Sequence, residues 1–261
     1  MKTVVFQSYR TSNVPQWVAT CMQTVKAWAH ANNFEYRFFD DSFFNYAPEW
    51  YRQKVNHQIC PVTDLARLIV AKNFLSEGYE RTIWIDADVL IFAPSKLIID
   101  VKTDFAMCYE IWIYKETNGR WASFNRINNS IAVFTRNSIH LDFFIDACLR
   151  IAHQKSSVGK LDVGTAFFSH LGSVLPFPLL MNNGIFSPTI ITEIAAGGGP
   201  YLSEYARNLK VPVACANFCA SLAGTGDPDP AQHERIYEAA IANCMATQGD
   251  VINRLIPSPS T

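Results

Sequence analysis

The sequence predicts an α/β fold: a central mixed, mostly parallel sheet flanked by helices. Three observations carry that prediction. The chain opens strand–helix–strand, the start of an α/β sheet. An almost uniformly apolar segment, Arg81-Thr82-Ile83-Trp84-Ile85-Asp86, suits the centre of such a sheet. Its 261 residues are 49% apolar and only 17% charged. A chain of that length and composition is too greasy for disorder and long enough to bury about three quarters of its unfolded surface.

Taken in order, Thr3 to Gln7 reads as the first strand, followed by a polar turn, Ser8 to Asn13. From Pro15 to Ala31 the apolar residues Val18, Cys21, Met22, Val25, Trp28 and Ala29 recur at helical spacing. Pro15 suits the first turn, and Asn32-Asn33 the stop. Phe34 to Phe39 is a second strand, closed by Asp40-Asp41. A helix begins near Pro61 and runs from Val62 to Ser76, with Gly78 as its terminator. The strand at 81–86 is expected to continue through Ala87 to Phe92 past a polar interruption. Phe105 to Glu110 is another strand, and Asn118-Gly119 marks a type I′ hairpin tip between Tyr114 and Trp121. Ile131 to Phe134 is a strand, and Ile139 to His153 a helix. The last third is broken by Pro and Gly, with a closing helix near Gln232–Cys244. No internal repeat, low-complexity tract or linker interrupts the chain, so one domain is the simpler reading.

Twenty-two Lys and Arg against twenty-three Asp and Glu leave a formal charge of −1. Such balance argues against a nucleic-acid partner, which needs a strongly basic face. The N-terminus turns polar after three apolar residues, so a signal-peptide core is not expected, and no apolar run reaches membrane-span length. Seven cysteines, an odd number scattered through apolar segments, read as reduced thiols of a cytoplasmic protein. Cys215 and Cys219 form the one close pair, and no second pair accompanies them to build a zinc site.

The residues that point to chemistry are Asp86 and Asp88, in Ile83-Trp84-Ile85-Asp86-Ala87-Asp88-Val89. Asp-x-Asp alone is common, and Asp227-Pro228-Asp229 supplies a second copy, flanked by proline with no strand before it. Asp86 and Asp88 differ by standing where an apolar strand ends, and ligands in open α/β sheets gather at the carboxyl ends of strands. Two carboxylates fixed there are costly unless a cation compensates them. A divalent metal carrying a diphosphate would do so; a capped turn with solvated aspartates is the plainer alternative. Upstream, Asp64 and Arg67 lie three apart on one helix face. By themselves they read as an exposed ion pair, but their helix feeds the strand that presents Asp86 and Asp88.

Phe6-Gln7-Ser8-Tyr9, then Val14-Pro15 with a Trp-bearing helix, then Phe34-Glu35-Tyr36-Arg37 with Asp40-Asp41, resemble the opening of glycosyltransferase family 32. Thr63-Asp64-Leu65-Ala66-Arg67 followed by Trp84-Ile85-Asp86-Ala87-Asp88-Val89 is similar to that family's core, and to the Asp-x-x-Arg and Asp-x-Asp of the large glucosylating toxins. The resemblance covers about the first hundred residues well. One departure is the single Gly78 where these families usually carry Gly-Gly before the Asp-x-Asp strand.

The resemblance implies a GT-A fold over residues 1–261, with a donor-binding half at about 1–110 and an acceptor-side half at about 111–261. It implies a retaining hexosyltransferase that takes a UDP- or GDP-sugar with Mn²⁺ or Mg²⁺ and passes the sugar to a glycan or glycolipid acceptor. By position, Asp88 and Asp86 would hold the metal, Asp86 also meeting ribose or donor sugar. Asp64 and Arg67 would hold sugar hydroxyls and phosphate, and Gln7, Ser8 and Tyr9 would line the base. Asp162, in Asp162-Val163-Gly164-Thr165, would meet donor sugar or acceptor, although a helix-starting turn explains it equally. Asn217 stands where the family often has a metal-binding His, and its carbonyl oxygen is a legitimate ligand for a hard cation. By analogy, the work would be polysaccharide biosynthesis at the inner face of a bacterial membrane, with no transmembrane segment and a peripheral association at most. Gly197-Gly198-Gly199-Pro200 lacks the strand and the Lys-Ser/Thr of a phosphate loop and reads as a flexible loop or lid.

Two rivals remain. A haloacid dehalogenase-type phosphatase also ends a strand in Asp-x-Asp, but needs Thr or a similar residue two places on, where Leu90 stands. A non-catalytic nucleotide-sugar-binding protein would carry the same ligands without turnover.

Overall fold

The computed structural model describes residues 1–223 and 229–257. Its six-stranded sheet has the order β2-β1-β3-β6-β5-β7. β1 (Thr3–Ser8) lies parallel to β2 (Glu35–Phe39) on one side and to β3 (Arg81–Ile85) on the other. β6 (Trp121–Thr135) is antiparallel to both β3 and β5 (Phe105–Lys115), and β7 (Leu179–Leu180) adds parallel to β5. A smaller sheet joins β4 (Val89–Ile91) antiparallel to β9 (Cys215–Asn217), which pairs in parallel with β8 (Asn183–Ile185). The expected mixed α/β architecture is therefore present.

The pleat divides the core. Successive strand residues point to opposite faces, so Val4, Phe6, Trp84, Ala132 and Phe134 pack on one side, and Val5, Ile83, Ile85, Ile131 and Val133 on the other. The first side is covered by α2 (Glu49–Lys54), α3 (Ile59–Ser76), α4 (Ile139–Gln154) and α5 (Thr165–Gly172). On the second side lie the small sheet, α1 (Gln16–Ala31), α6 (Pro188–Ala195), α7 (Pro200–Asn208) and α8 (Pro230–Thr247). α1 turns Val18, Cys21, Val25, Trp28 and Ala29 inward as the periodicity predicts, with Trp17 added and Met22 only half-buried. α3 is different: ten of its residues are buried, Asp64 and Arg67 among them. It stops as expected at Gly78, whose φ of +97° supplies the left-handed C′ position.

Three expectations need correction. The strand at 81–86 does not run on to Phe92. The chain turns at Asp86, where Val89 N–H bonds back to the Asp86 carbonyl at 3.1 Å, and β4 then belongs to the second sheet. The polar pair that looked like an interruption is the crossing itself. The hairpin tip is not a two-residue mirror-image turn, which needs positive φ at both central residues. Among residues 116–120 only Gly119 has positive φ (+82°), and its N–H bonds the Glu116 carbonyl at 2.9 Å. The glycines at 197–199 form a hydrogen-bonded link between α6 and α7, with Gly198 N–H on the Glu193 carbonyl at 2.8 Å. They border no part of the cleft described below.

All seven cysteines are free. Among the described residues no helix is long and apolar enough to cross a membrane.

Candidate active site

The turn between the two sheets presents two carboxylates to one cleft. Asp86 follows Trp84 by two residues, so both face α3. Trp84, stacked on Phe43 at 5.2 Å between ring centroids, donates its Nε1–H to Asp86 Oδ1 at 2.6 Å. Register does the rest for Asp88. Pairing Val89 with Asn217 sets β9 beside it, and Phe218 N–H bonds the Asp88 carbonyl at 2.9 Å. Ala220 N–H then donates to Asp88 Oδ2 at 2.7 Å. The Asn217 amide nitrogen lies 3.0 Å from Asp88 Oδ1 and 3.3 Å from Asp86 Oδ2, between the two carboxylates.

Arg67 anchors this constellation from below. Its side chain is 6% exposed, and it reaches Asp64 Oδ1 at 3.1 Å and Asp86 Oδ1 at 3.3 Å. The same guanidinium donates to the Asn129 carbonyl at 2.6 Å and lies 4.9 Å from the Trp84 ring centroid. Asn129 Nδ2 in turn donates to Asp64 Oδ1 at 2.9 Å. The exposed ion pair of the plainer sequence reading is thus a buried network, because α3 packs this face against β3 and β6 rather than against water.

Burial raises all three carboxyl groups above their ordinary range. Asp64 is raised by desolvation, against the pull of Arg67 and Asn129. Asp86 is raised by the same cause and held back by Arg67 and Trp84. Asp88 is pushed to about 7, first by desolvation and then by the neighbouring Asp86 charge, with Ala220 N–H opposing. A site in which negative charge is this costly, with an amide's partial positive charge already set between the two carboxylates, fits a hard divalent cation. Asp86 and Asp88 are the residues that would hold it. Among the described residues no group of three or more His, Cys, Asp or Glu converges to add a protein ligand.

The cleft has a volume of about 440 Å³. Ser8, Tyr9, Asp64, Arg67, Asp86, Asp88 and Asn217 all line it, so seven of the nine residues singled out in the sequence meet there. Gln7 does not. As a fully buried β1 residue it donates Nε2–H to the Asp86 carbonyl at 3.1 Å and accepts from Tyr36 Oη at 3.0 Å, supporting the turn rather than lining a base site. Asp162 does not either. Its carboxylate meets Lys155 Nζ at 2.6 Å and Gly159 N–H at 2.6 Å, which closes the turn before α5. Asn217 arrives by its nitrogen: its Oδ1 accepts from Cys219 N–H at 2.6 Å, so the oxygen expected to bind metal is turned away from the carboxylates. Of the second Asp-x-Asp, Asp227 and Pro228 lie outside the described residues, and Asp229 caps α8 through Ala231 N–H at 3.0 Å.

Thr165, the last residue of the Asp162–Thr165 motif, does line the cleft; sequence reasoning missed Asn128, Asn129 and Lys160, which line it too. In the sequence Asn128-Asn129-Ser130 directly precedes the strand read at Ile131 to Phe134; its polarity inside what proves a continuous fifteen-residue strand is the signal that it serves a site. Gly164, inside the Asp162–Thr165 motif, is held to glycine by its neighbour. A Cβ there would stand 2.3 Å from Asp64 Oδ2 and 2.8 Å from its Cγ. Gly164→Ala is therefore expected to displace Asp64 and cost about 1–3 kcal/mol, measured by urea denaturation. A variant as stable as the parent would show that Asp64 has room to move.

No protein-family profile matches the chain, and no curated protein does. Among solved structures, it is similar to a glycosyltransferase involved in the glycosylation of the major capsid of PBCV-1. The TM-score is 0.51 at 10% identity, over 91% of this chain and 100% of that one. Another match, A197 from STIV, covers 66% of this chain and 78% of its own at 13% identity, with a TM-score of 0.29, too low to carry an argument. At 10% identity the first likeness shows the fold alone: this mixed α/β fold is one that a glycosyltransferase uses.

Proposed function

We propose that the chain is a metal-dependent glycosyltransferase of the GT-A type, moving a sugar from a UDP- or GDP-sugar to a glycan or glycolipid acceptor with retention, as its resemblance to family 32 implies. The observation that carries this reading is the Asp86–Asp88 pair, held at the seam of two sheets on the wall of a cleft about 440 Å³ in volume. A Mn²⁺ or Mg²⁺ ion bound there would neutralise charge on a departing diphosphate. The chain's own groups do the positioning. Arg67 favours ionised Asp86, Ala220 N–H and Asn217 orient Asp88, and Ser8 and Tyr9 border the space for the nucleoside. Asp64 stands beside Thr63 where donor-sugar hydroxyls would lie. With the carboxylates among the described lining residues, Asp64, Asp86 and Asp88, already engaged, the acceptor would attack from the leaving-group side and give its proton to the departing phosphate. A cytoplasmic setting suits seven free thiols.

The phosphatase alternative loses ground on one observation. Leu90 is fully buried in β4, so the place of the required hydroxyl is filled by core.

The test is a panel of UDP- and GDP-sugars with and without Mn²⁺ or Mg²⁺, read as release of nucleoside diphosphate. Metal-dependent release abolished by EDTA is expected. Tight binding without release would leave a sugar-nucleotide binder, and no binding at all would reject the reading.

A further inference from the structure

The cleft holds one cation that the site described so far does not use. Among its described lining residues the charged groups are Asp64, Asp86, Asp88, Arg67 and Lys160. Arg67 is shared between Asp64 and Asp86. Lys160 is exposed, pairs with no carboxylate among the described residues, and rests its Nζ on the Ser221 carbonyl at 3.3 Å. Ser221 directly follows Ala220, whose N–H holds Asp88. Arg67 therefore serves the Asp86 side of the pair, and the ammonium is tethered beside the Asp88 side.

The turn that carries Lys160 is built rather than loose. Asp162 accepts from Gly159 N–H at 2.6 Å and meets Lys155 Nζ at 2.6 Å, while Asp162 N–H bonds the Gly159 carbonyl at 3.1 Å. These contacts close residues 159–162 into a pinned loop that sends Lys160 and Leu161 to the cleft wall. Asp162 thus has a task, that of the helix-starting turn, one of the two readings its motif allowed.

We infer that Lys160 is the group that meets the diphosphate of the bound nucleotide, exchanging the Ser221 carbonyl for a phosphate oxygen, and that Asp162 positions it. The inference rests on the glycosyltransferase reading and adds to it the contact for the leaving group. In the transfer step the bond between the anomeric carbon and the phosphate oxygen breaks, and its electron pair stays on the diphosphate. The acceptor oxygen bonds the anomeric carbon and its proton passes to the departing phosphate. The diphosphate gains negative charge in that step, and a fixed ammonium beside it stabilises that gain without giving up its proton. Lysine suits the task as a compact point charge on a flexible stem, able to leave one oxygen for another.

The experiment is calorimetric binding of UDP and GDP, each compared with the free nucleoside, in the presence of Mn²⁺, for the parent chain, Lys160→Met, Lys160→Arg and Asp162→Asn. Losing a hydrogen bond to a charged group is expected to weaken diphosphate binding roughly ten- to a hundredfold in Lys160→Met. Nucleoside affinity and melting temperature should hold. Lys160→Arg should recover most of the loss. Asp162→Asn, which frees the turn but keeps the ammonium, should lose a few-fold for the diphosphate alone. Diphosphate binding by Lys160→Met equal to the parent's would overturn the assignment while leaving the glycosyltransferase reading standing, and equal loss for nucleoside and diphosphate would also overturn it. If the parent chain binds neither diphosphate, the glycosyltransferase reading falls first and this inference with it.

Discussion

Asp88→Asn is expected to lower metal-assisted binding of nucleoside diphosphate by roughly a hundredfold or more, about 2.7 kcal/mol, and turnover at least as far. The same change should make the metal-free protein more stable, in a way that depends on pH. Unfolded, an aspartate titrates near 4; in the fold Asp88 is pushed to about 7 by burial and by Asp86. Between those values the folded state holds a proton that the unfolded chain has released. The contribution of Asp88 to stability is therefore fully present below about pH 4 and is lost as pH rises through 7. Asparagine carries no charge to bury. The variant should melt a few degrees above the parent at pH 8, roughly 1–2 kcal/mol, and the gain should shrink towards pH 5. Mn²⁺ with UDP or GDP should raise the parent's melting temperature and leave the variant's unmoved. Parent and variant melting curves that coincide at every pH, with equal nucleotide binding, would show that the carboxylate is neither strained nor a ligand.

Arg67→Met should cost more in stability than any other single change at the site. Methionine fills the space of the stem, but Asp64 and Asp86 are left without their cation and the Asn129 carbonyl without its donor. Breaking a buried ion pair by removing one partner costs about 3–5 kcal/mol, here on the order of a 10 °C fall in melting temperature. The loss should deepen with pH, since stranded carboxyl groups titrate higher and what they contribute is lost as pH rises through their folded values. Arg67→Lys should fall between, because one ammonium cannot span three acceptors. An exposed pair three residues apart on a helix would lose under about 1 kcal/mol, so a variant as heat-stable as the parent would contradict the burial of this network.

How much of this was legible in the sequence depended on whether the information was local. The opening strands and helices and the stop at Gly78 follow from periodicity and end signals, whereas the meeting of Asp64 and Arg67 with Asp86 and Asp88 was implied by the resemblance to family 32. What was not legible was set by distant partners. The depth of α3 could not be read because both its Asp and its Arg suit a wet face as well as a dry one; only packing against β3 and β6 decides. Gln7 and Asp162 had the right chemistry at nearly the right place, but the pleat spent Gln7 on the Asp86 carbonyl and Tyr36, and a turn spent Asp162 on Gly159 N–H and Lys155. The change of sheet at Asp86 was hidden because apolar strand residues look alike on either side of it. Lys160 stood in a surface turn with no pattern of its own, and only the fold brings it to the cleft wall beside Ser221.

The seam between the sheets also bears on how the protein comes to be. Asn217 meets Asp86 and Asp88 from 131 and 129 residues away along the chain, and Ala220 meets Asp88 from 132. Closing so long a loop is slow, and its entropy must be met before the contacts reward it. During synthesis the stretch up to Thr135 could pair β1, β2, β3, β5 and β6 while Asp88 still lacked its amide and its N–H donor. The acidic pair would then take its final shape only after Asn217 and Ala220, made more than eighty residues later than Thr135, had reached it.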